Sequence, residues 1–248
     1  MITLSSDFGW PYPAAMRGVI LGRSDARLVD VSHDFPRGDV RTAAFWLREI
    51  LPYFPPAVHL AVVDPGVGSG RDVLVIRAGE HRLVGPDNGV LIPAARRLEA
   101  QFECFRLIEI NAASETFHGR DVFAPLAAEI HERPDPADHG SLEPAPDPVT
   151  TSVPDAARTG RTLRGRVLVV DGFGNAITNV PGTWIEGDTV RVNGEPVPVV
   201  AHYAAVDPGT PIVTVGSTGF VELAVNDGRG DDAFDVSIDD AVTIERVD

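Results

Sequence analysis

Apolar positions follow two patterns in the first half of the chain: short apolar runs alternate with stretches whose apolar residues recur every three or four positions. This pattern predicts strand, helix, strand, helix and strand over 2–5, 14–24, 27–31, 40–53 and 58–63. Such alternation favours a mainly parallel sheet covered by helices, with right-handed crossovers. Asp39 is a predicted N-cap of the second helix, and Pro52 limits the end of that helix.

The same patterns continue to residue 132. They predict a hairpin over 72–77 and 81–84, a helix over 88–98, a strand over 102–110 and a helix over 122–131. We therefore expect an N-terminal α/β domain over 1–132.

After this domain the composition shifts to Pro, Asp, Ala and Glu without apolar periodicity, which is typical of a surface linker. We place the linker at 133–163 and a second domain at 164–248. Strands are predicted there over 166–170, 176–180, 189–192, 198–201, 211–215, 220–225 and 241–246, separated by turns such as Asn193-Gly194. The predicted fold class is α/β, a mainly parallel sheet flanked by helices plus a smaller all-β, barrel-like C-terminal domain.

Charge and composition narrow the function classes. The 248 residues carry a formal net charge of -15, which argues against a nucleic-acid partner because phosphate backbones are bound by clusters of basic residues. The lone cysteine, Cys104, cannot form an intrachain disulfide and lies in an apolar stretch typical of a buried strand. Neither a signal peptide nor a membrane-spanning run is evident, so we expect a soluble cytoplasmic protein without a membrane partner.

Candidate chemistry follows the strands, since ligands of open α/β sheets bind outside the carboxyl ends of the strands. The segments in question are 6–9, 31–34, 63–71 and 117–121. Asp64 in Asp-Pro-Gly is by itself an ordinary turn residue, and Asp-Asn-Gly over 87–89 is equally good turn chemistry. The glycines that follow Asp64 do not match a phosphate-binding loop.

A metal site is an alternative use of the same segments. Suitable N and O ligands are present at His33, Asp34, Asp64, His118 and Asp121. Because no recognised ligand spacing connects them, we expect neither a metal nor another cofactor.

In the second domain, residues 170–175 combine a carboxylate, an aromatic ring and an amide at Asp171, Phe173 and Asn175. A hairpin turn explains the glycines between them but not the ring and the amide. An aromatic face with a nearby amide suits adenine, which can stack on the ring and bond through its edge.

Taken together, six ordered motifs resemble the S-adenosyl-L-methionine (SAM) hydroxide adenosyltransferases, or SAM hydrolases, relatives of the fluorinase and chlorinase enzymes. The resemblance covers nearly the whole chain and is carried by residues 6–9, 63–68, 85–89, 116–121, 171–175 and 219–226. It implies hydrolysis of SAM to adenosine and methionine by attack of water or hydroxide on the ribose C5′. It also implies a homotrimer with the active site at a subunit interface.

The resemblance also implies roles for individual residues. Asp64, Arg71 and His118 match the set that handles the attacking water, whereas the halogenating relatives carry Tyr at the Asp and His positions. The implied substrate-binding residues are Asp7 for ribose, Asp171 and Ser217 for the methionine moiety, Asn175 and Phe173 for adenine, and Phe8, Glu222 and Val225. Thr218 stands where the halogenases have Arg, which leaves binding of the methionine carboxylate open.

Two further functions stay open at this stage. One is a chlorinase-type halogenase, for which Gly119 would leave some space. The other is a protein that binds an adenosyl ligand without turnover.

Overall fold

The computed structural model describes residues 1–109 and 116–247, and its contacts divide the chain into two compact units. Unit 1 is Met1–Ser152 and unit 2 is Val153–Asp248. The division falls inside the predicted linker. Among the described residues, no helix combines the length and apolar character needed to cross a membrane.

Unit 1 is an α/β structure. Its strands are β1 (Ile2–Ser6), β2 (Leu28–Ser32), β3 (Val58–Val62), β4 (Val73–Ala78), β5 (His81–Pro86), β6 (Glu103–Leu107) and β7 (Leu142–Pro144). Its α-helices are α1 (Tyr12–Leu21), α2 (Val40–Ile50), α3 (Ile92–Leu98) and α4 (Ala124–Glu132). The predicted elements of the first domain are all present with shifted ends; Ile110, predicted as strand, lies outside the described residues.

The described strands of unit 1 form one sheet in the order β2-β1-β3-β5-β4-β6-β7. The β2-β1-β3-β5 pairs are parallel, and the remaining pairs are antiparallel, which confirms a mainly parallel sheet with an antiparallel edge. Side chains of the strands belong to two apolar clusters, one packed against α1 and α4 and the other against α2 and α3. The sheet is therefore covered on both faces, as side chains of period two require.

Helix α2 begins as its sequence predicts. The Asp39 side chain accepts a hydrogen bond from the Thr42 backbone N–H at 3.0 Å, which satisfies one of the free donors of the first turn. The α-helix ends at Ile50 and passes into a short 3₁₀ turn over Leu51–Tyr53 that contains Pro52.

The segment predicted as a linker over 133–163 contains regular structure. Strand β7 pairs with β6 in unit 1, while β8 (Ala157–Thr159) pairs with the start of β9 (Thr162–Val170) in unit 2. Both strands are only three residues long; β7 buries Leu142 alone and β8 is exposed throughout, so neither is long enough to show apolar alternation.

Unit 2 is built from antiparallel strands. Besides β8 and β9 they are β10 (Ala176–Pro181), β11 (Thr189–Val192), β12 (Glu195–Pro198), β13 (Pro211–Val215), β14 (Phe220–Val225) and β15 (Ala241–Arg246), with a short helix α5 (Gly230–Phe234). The order β12-β11-β15-β9-β10-β14-β13 is nearly closed by a bridge between Val199 and Val213, which confirms the barrel-like prediction.

Two local predictions in unit 2 differ from the structure. The strand expected over 198–201 lies at 195–198, because Asn193 and Gly194 both take positive φ and turn the chain directly into β12. Helix α5 was not predicted, since its five residues are too few to show helical periodicity.

Candidate active site

The carboxyl ends of the parallel strands open into a cavity of about 990 Å³ in unit 1. Asp7 follows β1 and Asp64 follows β3, and both line this cavity. His118 lies there too, although it comes from the start of the helical segment that leads into α4. Strand order thus brings Asp7 and Asp64 together across 57 positions of sequence, and the helical segment adds His118, 54 positions after Asp64.

Asp64 makes two contacts that organise its loop. One carboxylate oxygen accepts a hydrogen bond from the Gly66 N–H at 3.0 Å, and the other forms an ion pair with Arg71. Arg71 also donates to the Gly66 carbonyl at 2.8 Å. The hydrogen bond to Gly66 is the one expected if Asp64 is a turn residue. A turn does not require the ion pair with Arg71 or the complete burial of the Asp64 side chain, which is 0% exposed.

Burial dominates the electrostatics of this pair. It raises the pKa of Asp64 above the ordinary value, against the opposing effects of the Arg71 charge, the Gly66 N–H and His118. Burial also lowers the pKa of Arg71, partly offset by Asp64, but a guanidinium stays protonated in proteins. Asp64 therefore takes up a proton more readily than an exposed aspartate while remaining next to a fixed positive charge.

Two buried nitrogens beside Asp64 lack hydrogen-bond partners among the described residues. They are Nε of Arg71 and Nδ1 of His118. Buried polar groups are nearly always paired, so two unpaired nitrogens this close to Asp64 are unusual and leave hydrogen-bonding capacity unused.

Asp7 and the aromatic wall beside it complete the cavity. One Asp7 oxygen accepts a hydrogen bond from the Gly38 N–H at 2.7 Å. The rings of Phe8 and Phe117 meet edge to face, 5.9 Å apart. A Cβ on Gly119 would lie 2.9 Å from the Phe8 ring, so the space that the sequence interpretation expected at Gly119 is occupied by an aromatic side chain.

His33, a candidate metal ligand from sequence, is engaged elsewhere. Its Nδ1 lies 2.8 Å from the hydroxyl of Ser6 and its Nε2 lies 3.0 Å from a carboxylate oxygen of Asp30. Both ring nitrogens are therefore used. No group of three or more metal-binding side chains occurs in the described parts of the chain, 1–109 and 116–247.

In unit 2, the Asp171, Phe173 and Asn175 segment forms the turn between β9 and β10. One Asp171 oxygen accepts from the Phe173 and Asn175 N–H groups, each at 2.9 Å, and the other accepts from the Asn175 side-chain amide at 3.0 Å. Phe173 is 81% exposed. The turn thus holds the Asp171 carboxylate and the Asn175 amide in fixed positions and leaves the Phe173 ring largely exposed.

Tyr203 joins this group, although nothing in the sequence pattern predicted it. Its hydroxyl donates to a Glu222 oxygen at 3.2 Å and accepts from the Asn175 amide at 3.3 Å. Burial raises the pKa of Glu222, and burial together with the Glu222 charge raises the pKa of Tyr203 to about 12. Tyr203 lies in a segment without periodicity, so no signal in the sequence pointed to it.

The remaining predicted positions lie near the ends of β13 and β14. Val225 is buried at the end of β14, and Ser217 is exposed in the turn before it. The Thr218 hydroxyl is buried and lacks a hydrogen-bond partner among the described residues. Within unit 2 the structure brings Asp171, Asn175 and Glu222 together through Tyr203.

Comparisons with known proteins agree with one another. Residues 2–140 match the model of the SAM hydroxide adenosyltransferase N-terminal domain, and residues 165–243 match that of the C-terminal domain. The chain is 40% identical to "(R)-S-adenosyl-L-methionine hydrolase" of Salinispora tropica, covering 98% of this chain and 97% of that one. It is 39% identical to the Thermus thermophilus protein of the same name, covering 92% of each.

Solved structures show the same likeness. An uncharacterized conserved protein from Thermotoga maritima has a TM-score of 0.86 at 30% identity, over 99% of this chain and 100% of that chain. A conserved hypothetical protein from Thermus thermophilus has a TM-score of 0.79 at 35% identity, over 99% of both.

Proposed function

Because this chain belongs to the SAM hydroxide adenosyltransferase family, we propose that it hydrolyses S-adenosyl-L-methionine to adenosine and L-methionine. The observation that carries the proposal is the buried ion pair between Asp64 and Arg71, with Asp64 and His118 lining one cavity and with Arg71 Nε and His118 Nδ1 both lacking a hydrogen-bond partner among the described residues. The relatives in Salinispora and Thermus are named as hydrolases of this substrate.

The leaving group of this reaction needs no activation by the protein. A water oxygen forms a bond to C5′ of the ribose while the C5′–S bond breaks, and the electron pair of that bond returns to sulfur. The sulfonium thereby becomes a neutral thioether, so no general acid is needed. What the protein must supply is an oriented nucleophile and a destination for its proton.

Asp64, Arg71 and His118 are the residues that we assign to the nucleophile. Arg71 Nε and His118 Nδ1 are the free groups that would hold a water, and the Arg71 charge favours hydroxide character. Asp64 accepts the proton, a role suited to a carboxylate whose pKa is raised by burial. Orientation of this kind can contribute roughly 7 to 11 kcal/mol to lowering a barrier.

For substrate binding we propose Asp7 as the partner of the ribose hydroxyls, with Phe8 packing beside it. In unit 2, Asn175 and Phe173 would bind adenine, and Asp171 and Ser217 the methionine moiety, with Glu222 and Val225 nearby. The fixed carboxylate and amide of the Asp171 turn support this assignment, because a preorganised group loses little entropy on binding. No cofactor is part of the proposal.

Incubation with SAM in H₂¹⁸O tests the reaction directly. Attack at C5′ places one ¹⁸O in the 5′ hydroxyl of adenosine and leaves methionine unlabelled, as mass spectrometry of both products would show. The relatives' name places an R descriptor on the substrate, and since L already specifies the α carbon we assign R to sulfur. Both sulfonium epimers are therefore supplied separately, and we expect the R epimer to be consumed faster.

Parallel incubations separate the alternatives. A 5′-chloro nucleoside formed when chloride is added would identify a halogenase. Loss of turnover with EDTA would reveal a metal requirement. Binding of SAM without any product would indicate a ligand-binding protein and contradict the proposal.

We also propose a homotrimer in which unit 1 of one copy and unit 2 of another enclose the substrate. The family resemblance suggests this trimer. Each unit also has an exposed large aromatic side chain close in sequence to its candidate residues: Trp10 is 78% exposed and Phe173 is 81% exposed. Sedimentation equilibrium should give three times the protomer mass. A protomer mass at the enzyme's working concentration would contradict this assembly.

A further inference from the structure

Two arginines line the cavity of unit 1 themselves, and a third arginine, Arg71, forms an ion pair with the lining residue Asp64. The two lining arginines are Arg37 and Arg120. Arg120 is already committed: its Nε and Nη2 donate to the Asp121 carboxylate at 2.6 and 2.8 Å, and its guanidinium lies 5.1 Å from the centre of the Phe117 ring. Arg71 is committed to Asp64 in the same way.

Arg37 differs from these two. Within residues 1–109 and 116–247, its guanidinium has no carboxylate or other hydrogen-bonding partner, and the residue is exposed at the cavity wall. A guanidinium that lines a binding cavity without a counter-ion can form a bidentate pair with a carboxylate of the ligand.

The backbone that carries Arg37 is nevertheless fixed. The next residue, Gly38, donates its N–H to Asp7 at 2.7 Å, and the Asp39 N–H bonds back to the Pro36 carbonyl at 3.0 Å. Asp39 in turn caps α2. The loop therefore links the Arg37 position to Asp7 on one side and to a helix start on the other, so only the side chain of Arg37 must be ordered by a ligand.

The proposed substrate carries one anionic group, the α-carboxylate of its methionine moiety. In unit 2, Ser217 and Thr218 provide hydroxyls but no charge for it. Arg229 interacts electrostatically with Asp171 but donates a hydrogen bond to Asp231 at 2.6 Å, so its charge is already paired.

We propose that Arg37 binds the α-carboxylate of the substrate and so determines that the enzyme takes the amino-acid sulfonium rather than a carboxylate-free analogue. This inference rests on the proposed function. It assigns Arg37 to substrate specificity and not to the chemical step, because the carboxylate lies several bonds from C5′.

The test compares SAM with its decarboxylated analogue, which keeps the sulfonium and the ammonium. Wild-type enzyme should favour SAM in kcat/KM by about 10- to 100-fold, the range expected for a hydrogen bond between charged groups. R37Q should raise KM for SAM by a similar factor, change kcat little, and treat the two substrates alike. R37K retains the positive charge but not the planar guanidinium that can bond both carboxylate oxygens, so it should recover part of the preference for SAM.

R41Q is the matched control. It removes the same charge from an exposed position four residues further along, on the first turn of α2 and outside the cavity lining. It should keep the wild-type preference for SAM. If R37Q discriminates between the two substrates as strongly as wild type and R41Q do, Arg37 does not bind the carboxylate.

Binding measurements keep this inference separate from the proposed reaction. Calorimetric titration of wild type and R37Q with SAM and with the decarboxylated analogue reports carboxylate recognition whether or not turnover occurs. Absence of turnover with an Arg37-dependent preference in binding would defeat the hydrolase proposal and retain the inference. Turnover with a preference for SAM that does not depend on Arg37 would support the hydrolase proposal and defeat the inference about Arg37. If neither ligand binds, the hydrolase proposal and the inference are both overturned.

Discussion

Asp64→Asn should reduce the rate of adenosine formation by roughly 10²- to 10⁴-fold, the usual contribution of a positioned general base. The amide keeps the size of the side chain and can still accept from the Gly66 N–H, but it neither takes a proton nor pairs with the Arg71 charge. Affinity for SAM should stay within about tenfold of wild type, since the loss concerns the transition state. Single-turnover kinetics with calorimetric binding would measure both.

Asp72→Asn is the control for that substitution. Asp72 also pairs with an arginine, Arg106, but the pair is exposed and contributes little. The Asp72 variant should therefore retain wild-type activity. An Asp64→Asn enzyme of comparable activity would remove Asp64 from the mechanism.

The acid limb of the pH–rate profile follows from the same carboxylate. Burial is the largest influence on the pKa of Asp64 and raises it. Since the ionised form is the one that accepts a proton, the rate should fall as pH decreases through this raised pKa, at higher pH than for an exposed aspartate. The Asp64→Asn variant should lose that limb.

The second large effect concerns stability in acid and arises at the other end of the sheet. His59 on β3 is 1% exposed; its Nδ1 lies 2.8 Å from the Thr3 hydroxyl and its Nε2 lies 2.9 Å from Nδ1 of His81. Burial, with a smaller effect of His81, lowers the pKa of His59 from 6.5 to about 3. The folded protein therefore holds His59 neutral.

Between pH 6.5 and about 3, the unfolded chain binds a proton at this position and the folded chain does not. The free energy of unfolding therefore has its full value above pH 6.5. Below that pH it decreases as the pH falls, by up to ~1.4 kcal/mol per pH unit from His59 alone. Going from pH 7 to 5, this corresponds to about 2 kcal/mol, and the full shift to at most about 5 kcal/mol. Urea denaturation at pH 7, 6 and 5 would measure it.

His59→Gln removes the titrating group while retaining an amide able to bond Thr3 and His81. The variant should be less stable at pH 7 yet lose less stability on acidification, so the difference between the two proteins shrinks as pH falls. His202→Gln, at an exposed histidine of unit 2, should follow the wild-type curve. Parallel curves for wild type and His59→Gln would show that His59 does not cause the acid sensitivity.

Much of the fold of unit 1 could be predicted because its elements are long enough to display a period. The αβ alternation, the Asp39 cap and the positions of Asp7 and Asp64 after strands all came from patterns within a few residues. Parallel strands end at the same edge, so the placement of those two carboxylates near one cavity followed from the strand order that such alternation favours.

Other features depend on contacts between distant segments. The engagement of His33 by Ser6 and Asp30, and that of Tyr203 by Asn175 and Glu222, leave no periodic trace. The filling of the space at Gly119 by the Phe8 ring is likewise a matter of packing across more than a hundred residues.

The sequence by itself determined the two-part α/β and all-β architecture, the motifs of the family and the residue types available for chemistry, since hydrophobic period and turn residues act locally. Only the tertiary structure decided which of those residues are buried, paired or free. Asp64 is buried and paired with Arg71, His118 and Arg71 each keep an unpartnered nitrogen, and Arg37 keeps its charge without a counter-ion in the part of the chain that the structure describes. The physical reason is that pairing and desolvation depend on neighbours that strand order brings together from far along the chain.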